Sequence, residues 1–115
     1  MNNLDFSKKK RLTSLDFNII FLNPIKLNNK YYTILSKINY IKYSRIGIII
    51  PKKIVHKTNL RNKFKRTIRE YFRLNQYSFI IMDYVIIINN KNILKINNFF
   101  LKKYLENIWH FFKIK

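Results

Sequence analysis

The chain has 115 residues, which suits one domain spanning 1–115, and 48% of them are hydrophobic, which argues against a disordered chain. Its 24 lysines and arginines against 5 acidic residues give a net charge of +19, which indicates a polyanionic partner, with nucleic acid ahead of an anionic membrane surface. The absence of cysteine excludes disulfides and thiolate metal sites and fits a cytoplasmic location.

The N-terminal part predicts a short helix. Thr13 can cap it, and Asp16 three residues later can return the hydrogen bond. Apolar residues then follow at the helical spacing i, i+3, i+4, namely Phe17, Ile20 and Phe21. The Asn23-Pro24 pair is expected to end this helix.

Strands are predicted next. Residues 31–38 are rich in β-formers, and a weaker strand is expected near residues 25–27. The β-branched run 45–50 predicts a central strand that ends at Pro51.

The C-terminal half predicts helix, strand and helix. Thr58 is the expected N-cap of a helix over about 59–75, and residues 84–88 form another buried-type strand. A last helix over about 97–112 has one apolar stripe, formed by Phe100, Leu101, Tyr104, Leu105, Ile108 and Trp109. A strand, a helix and a strand over 45–88 imply a βαβ crossover and a partly parallel sheet with helices packed on it.

The helix over 59–75 separates into two sides on a helical wheel. One side is mostly apolar, with Leu60, Phe64, Thr67, Ile68 and Tyr71. The other carries Asn62, Lys65, Arg66, Arg69 and Arg73, with Arg61 at the boundary. Like charges at i, i+4 cost stability, whereas a merely solvated face usually mixes signs. Arginine forks at fixed spacing suit the phosphates of a structured RNA.

Other segments predict no catalytic site. The five carboxylates form no acid/base or metal motif, the two histidines are isolated, and one glycine cannot make a phosphate loop. His56, which lies between lysines, is either a further RNA contact or an ordinary loop residue. The run Lys8–Arg11 is either a solvated tail or an extra phosphate anchor. The longest apolar runs, near 46–51 and 84–88, are too short to span a bilayer. The basic helix lacks a wide exposed apolar face, so no membrane-surface partner is expected either.

A family resemblance adds to these observations. Residues 61–73 read Arg-Asn-Lys-Phe-Lys-Arg-Thr-Ile-Arg-Glu-Tyr-Phe-Arg. This segment resembles the signature of the bacterial ribonuclease P protein family, an Arg-Asn-Arg triplet followed by Lys-Arg, Arg-Glu and Phe-Arg. The similarity continues through segments 11–13, 45–47, 52–53, 82–85 and 105–109. Two positions depart from the family pattern: Lys63 replaces the second arginine of the triplet, and Pro51 stands where a small residue is usual.

The resemblance implies an α/β (α+β) sandwich, with a mixed four-stranded sheet packed with three helices. The elements would follow in the order αβββαβα, with a left-handed βαβ crossover. It also implies a protein subunit that binds the catalytic ribonuclease P RNA and the 5′ leader of precursor tRNA, with one protein per RNA. The RNA would cleave the leader with its bound Mg²⁺, and the protein alone would hold no metal.

The resemblance also assigns site residues. Those expected to contact RNA are Lys52, Lys53, Arg61, Asn62, Lys63, Lys65, Arg66 and Arg69, and Arg73 joins them from the helical wheel. Phe17 and Phe21 are expected to line the leader-binding cleft, although their spacing alone fits core packing equally well. The alternative function is that of a non-enzymatic basic RNA-binding protein, such as a ribosomal protein or an RNA chaperone.

Overall fold

The computed structural model describes residues 8–114. Its helices and strands follow in the order α1 (Ser14–Ile20), β1 (Ile25–Asn28), β2 (Tyr32–Lys37), β3 (Arg45–Ile49), α2 (Thr58–Asn75), β4 (Asp83–Ile88) and α3 (Asn98–Trp109). This order confirms the predicted αβββαβα arrangement. Among the helices of the described residues, none has the length and apolar character needed to cross a membrane.

The four strands form one mixed sheet in the spatial order β1-β2-β4-β3. Strands β1 and β4 each pair antiparallel with β2, whereas β3 pairs parallel with β4. The four-stranded mixed sheet is therefore confirmed, and the handedness of the β3–α2–β4 crossover stays a prediction.

Strand β3 lies at the edge of the sheet, so the prediction of a central strand over 45–50 is wrong. Its outer side is covered by the chain just before α1, where Arg11 forms a parallel bridge with Ile46. The amide of Leu12 donates to the carbonyl of Ile46 at 3.0 Å. This cover pairs part of the outer backbone of β3, and the Ile46 side chain is buried in the larger core, so an edge strand has the apolar sequence expected of a central one.

The two faces of the sheet are covered by different helices. Tyr84, Ile86 and Ile88 of β4 belong to the larger core, together with buried residues of α2 and α3. Val85, between them in sequence, belongs to a smaller core with Ile20 of α1. Since successive strand residues point to opposite faces, α1 packs on one face and the other two helices pack on the second.

Helix α1 begins as predicted. The amide of Thr13 donates to Oδ2 of Asp16 at 2.7 Å, and the amide of Asp16 donates to Oγ1 of Thr13 at 3.4 Å, which completes a capping box. The helix ends at Ile20, before the predicted Asn23-Pro24 pair. Asn23 adopts a left-handed φ of 59°, a conformation that asparagine tolerates better than most residues, and this turns the chain toward β1.

Helix α2 begins one residue earlier than predicted, so Thr58 is not the N-cap. Lys57 occupies that position, and its carbonyl accepts the amide of Arg61 at 3.0 Å, which places Thr58 inside the first turn. Phe72 was missing from the predicted apolar side, yet it is fully buried four residues after Ile68.

Helix α3 begins within the predicted range, with the side chain of Asn97 accepting the amide of Phe100 at 3.1 Å. A 3-10 turn over residues 110–112 follows its end at Trp109. The predicted apolar stripe of this helix was wrong at Phe100, whose side chain is 48% exposed. The buried stripe begins one residue later, at Leu101, and continues at Leu105 and Ile108.

The one glycine of the chain allows α1 to approach the sheet closely. A Cβ atom on Gly47 of β3 would lie 2.6 Å from Cζ of Phe17 and nearer still to its Cε1. Real Cβ atoms are essentially never found at such distances. The absence of a side chain at Gly47 therefore makes room for the Phe17 ring.

The substitution Gly47→Ala should displace this ring. We expect it to lower the free energy of unfolding by about 1–3 kcal/mol, the usual cost of overpacking, as measured by urea denaturation. In a Phe17→Ala background the same substitution should cost much less, because the clashing ring is gone. Equal costs in the two backgrounds would show that Gly47 is needed for another reason.

Candidate nucleic-acid interface

The cationic side of α2 faces solvent because its apolar side is buried against the sheet. Phe64, Ile68 and Phe72 of α2 all belong to the larger core. The opposite side forms an open depression of about 380 Å³, and its lining residues are Asn62, Lys65, Arg66, Arg69, Glu70 and Arg73. The structure thus brings together the polar residues that the helical wheel placed on one side.

The single acid of this side is paired. Arg73 donates to Glu70 through Nε at 3.0 Å and through Nη2. The hydrogen bond from Arg73 holds the pKa of the Glu70 carboxyl below its ordinary value. Glu70 therefore stays ionised and offsets the charge of Arg73, so that Lys65, Arg66 and Arg69 carry the net positive charge of this surface.

Arg61 links α2 to the loop that follows β3. Its Nη1 donates to the carbonyl of Ile50 and, at 3.3 Å, to that of Val55. Lys52 and Lys53 are exposed on this loop, as is His56. Asn62 and Lys63 are exposed on the first turns of α2. The predicted loop and helix residues therefore belong to one connected surface.

Phe17 and Phe21 of the predicted cleft have different environments. Their rings stack with centroids 6.3 Å apart and an interplanar angle of 22°. Phe17 packs against the smaller core, whereas Phe21 is 46% exposed. Phe17 is therefore partly a core residue, whereas the ring of Phe21 is open to solvent.

A cavity of about 170 Å³ connects Phe17 with α2. It is lined by Arg11 and Phe17 on one side, by β3 residues around Gly47, and by Arg69 of α2. Burial, and secondarily the positive charge of Arg11, lower the pKa of Arg69. Two guanidinium groups therefore meet where the cleft beside α1 joins the cationic side of α2. The sequence offered Arg11 only as one member of the run Lys8–Arg11, a possible phosphate anchor. Its position beside Arg69 depends on the bridge to Ile46, which no sequence pattern predicts.

Lys10 serves as neither a solvated tail nor a phosphate anchor, so both alternatives for the run Lys8–Arg11 are wrong at this position. It is only 5% exposed, and its Nζ donates to Oε1 of Gln76 at 2.9 Å and to the hydroxyl of Tyr77 at 3.2 Å. Lys10 thereby ties the N-terminal segment to the chain after α2. The side chain of Lys8 lies outside the described residues.

An ionic cluster fixes α1 on the sheet. Arg45 of β3 donates to both carboxylate oxygens of Asp83 of β4, at 2.8 and 2.7 Å, and its Nη1 lies 3.6 Å from Oδ1 of Asp16. Asn39 also donates to Asp83, at 2.9 Å. The hydrogen bonds to Asp83 raise the pKa of Arg45. The sequence assigned only a capping role to Asp16 and gave no signal of the link between Arg45 and Asp83.

The comparison with known proteins assigns the family. The model of the ribonuclease P family matches residues 6–113. The chain belongs to the ribonuclease P protein family. It is 41% identical over 108 residues to the ribonuclease P protein component of Buchnera aphidicola subsp. Baizongia pistaciae, covering 93% of this chain and 94% of that protein. It is 42% identical to the component of Baumannia cicadellinicola, covering 96% of each chain.

Solved structures agree with this assignment. The ribonuclease P protein from Thermotoga maritima superposes with a TM-score of 0.79 at 31% identity, covering 90% of this chain and 98% of that one. A mutant Staphylococcus aureus ribonuclease P protein, described as defective in mRNA degradation, gives a TM-score of 0.84 at 25% identity over 90% of this chain and 88% of that one. The role of the chain is therefore that of a ribonuclease P protein subunit in tRNA processing, as the resemblance implied. In residues 8–114, no group of three histidine or acidic side chains could hold a metal ion.

The Asp16 carboxylate should contribute to stability in a pH-dependent way. Chiefly because it accepts the amide of Thr13, the pKa of Asp16 lies below its ordinary value of 3.8. Its contribution is therefore present above pH 3.8 and is lost as the pH falls through the lowered value. We expect Asp16→Asn to reduce the free energy of unfolding at pH 7 by about 0.3–1 kcal/mol, and the difference from wild type to shrink in acid.

Urea denaturation between pH 7 and pH 2.5 measures this difference. Glu106→Gln is the matched control, since Glu106 is an exposed carboxyl that makes no hydrogen bond or salt bridge within the described residues. A difference for Asp16→Asn that stays constant down to the lowest pH would contradict the assigned capping role.

Proposed function

We propose that this chain is the RNA-docking, non-catalytic subunit of ribonuclease P. The observation that carries the proposal is the cationic side of α2, where Lys65, Arg66 and Arg69 are held at fixed spacing on a helix whose other side is buried. Guanidinium groups match phosphates bidentately, and a rigid helix lets their positions match one folded RNA. The catalytic ribonuclease P RNA is the partner that family membership supports.

In this proposal the RNA subunit cleaves the phosphodiester bond, and its bound Mg²⁺ supplies the metal chemistry. The protein contributes docking and substrate binding, with one protein per RNA, in the cytoplasm. The absence of a recognisable acid/base pair or nucleophile motif in the sequence supports this division of labour.

The precursor tRNA leader is proposed to lie beside α1. Phe21 exposes nearly half of its surface and stacks with Phe17, so the pair offers aromatic faces to unpaired bases. Stacking of this kind tolerates any base, at about 1–3 kcal/mol for each one, which suits leaders of varied sequence. The cavity lined by Arg11 and Arg69 continues from Phe17, and a leader phosphate there would lie between two guanidinium groups.

Reconstitution tests this function. The isolated protein should not cleave precursor tRNA, whereas its addition to a bacterial ribonuclease P RNA should allow cleavage of the leader at physiological Mg²⁺ concentration. The measurement is the 5′ end of the product in reactions with and without each component. A folded protein that rescues no such RNA would overturn the proposal, and cleavage by the protein alone would overturn its non-catalytic part.

Single substitutions should separate RNA docking from leader binding. Arg66→Ala should weaken binding of the catalytic RNA and reduce the slope of log K against log salt concentration by about 0.7–0.9, the value for one phosphate contact. Phe17→Ala should leave RNA docking unchanged and weaken the binding of precursor tRNA relative to mature tRNA.

The control for lost charge is Lys26→Ala, because Lys26 is exposed on β1, at the opposite edge of the sheet from β3. It should change the salt slope much less than Arg66→Ala does. If Arg66→Ala and Phe17→Ala weaken the same binding step equally, the division into two surfaces is wrong.

A further inference from the structure

Helices α2 and α3 leave an open groove between them. It has a volume of about 260 Å³ and lies next to the cationic side of α2, since Arg66 and Glu70 line both depressions. Tyr71 and Leu74 contribute apolar surface from α2, and Lys102 contributes a positive charge from α3. The groove therefore continues the proposed RNA surface around α2 and onto a second helix.

The groove combines an apolar surface with a net positive charge. Leu74 is 51% exposed, although it is a large apolar residue on a helix whose outer positions are mostly charged. Neither Arg66 nor Lys102 makes a hydrogen bond or a salt bridge within the described residues. The Glu70 carboxylate accepts two hydrogen bonds from Arg73, which lies outside the groove, and it also interacts electrostatically with Lys102. One acid is therefore shared among several cations, and the groove keeps a net positive charge.

We propose that this groove binds one nucleotide of the ribonuclease P RNA, with its base against Leu74 and Tyr71 and its phosphate between Arg66 and Lys102. A nucleotide supplies both features that the groove requires, an apolar π-face and an anion. The inference rests on the proposed docking of the RNA on α2, and it adds α3 to the binding surface.

An amphipathic protein helix is the other occupant to consider, and the groove suits it less. Such a helix anchors through residues at i, i+3 or i+4 and i+7, which need an apolar channel about two turns long. Here the exposed apolar surface is limited to Leu74 and part of Tyr71. One base covers a surface of that extent.

Binding of an in-vitro-transcribed Buchnera aphidicola ribonuclease P RNA tests the phosphate contact. Lys102→Ala should weaken binding about three- to tenfold and reduce the salt slope by about 0.7–0.9, because one phosphate contact is lost. Lys103→Ala is the matched control, since Lys103 follows directly on α3 but lies over the ring of Phe99, 5.7 Å from its centroid, and does not line the groove. Equal effects of the two substitutions would overturn the proposal.

Photo-crosslinking tests the base contact. A benzophenone side chain in place of Leu74 should crosslink to one nucleotide or a short run of the RNA, and the yield should fall when Lys102→Ala is added. The same group in place of Lys103 should give little crosslinking. Labelling spread evenly over the RNA, or none from position 74, would show that no base occupies the groove.

The outcomes separate this proposal from the function on which it rests. If Arg66→Ala weakens RNA binding while substitutions at Lys102 and Leu74 do not, the groove proposal is wrong and docking on α2 stands. A groove that instead binds a protein would give this same result. If the folded wild-type chain fails to bind the RNA at all, both proposals are wrong.

Discussion

The burial of one stripe of α2 on the sheet determines the outward-facing surface on which the proposed function depends. Phe64, Ile68 and Phe72 repeat every four residues and are buried, and each buried side chain of this size contributes about 1.5–3 kcal/mol. Repulsion between like charges at i, i+4, as for Lys65 and Arg69, costs only a few tenths of a kcal/mol per pair. Apolar burial therefore outweighs the repulsion, and the fold can hold a cationic surface that the isolated helix would disfavour.

The edge position of β3 explains how this surface meets the cleft beside α1. Helices α1 and α2 pack on opposite faces of the sheet, so a central β3 would keep them apart. Because β3 is the edge strand, residues from both faces reach around it, and Arg11 and Arg69 line one cavity. The proposed docking of the catalytic RNA and the proposed binding of the leader can then be continuous, although the two proposed surfaces lie on different faces of the sheet.

Local patterns predicted the parts of the fold that depend on neighbouring residues. The capping box of Thr13 and Asp16, the two sides of α2 and the order of elements follow from spacings of a few residues. No local pattern encodes the contacts between distant segments. Arg45 pairs with Asp83, 38 residues later, and Lys10 is buried against Gln76, 66 residues later. The edge position of β3 depends on long-range strand pairing in the same way. The family resemblance supplied the fold class and the proposed site residues, but not these contacts.

Arg61 and Lys63, in the first triplet of the family signature, have different roles in the fold. Arg61 donates to two carbonyls of the loop after β3, so this arginine holds that loop, with Lys52 and Lys53, against the start of α2. The side chain of Lys63 is exposed and makes no hydrogen bond within the described residues, whereas its backbone carbonyl accepts the hydroxyl of Thr67 at 3.0 Å. The fold therefore uses the Nη1 donor of the arginine at position 61 and uses no side-chain donor at position 63. Lysine in place of the family's second arginine therefore leaves the fold unchanged. An RNA phosphate at this position would contact a single ammonium group instead of a bidentate guanidinium.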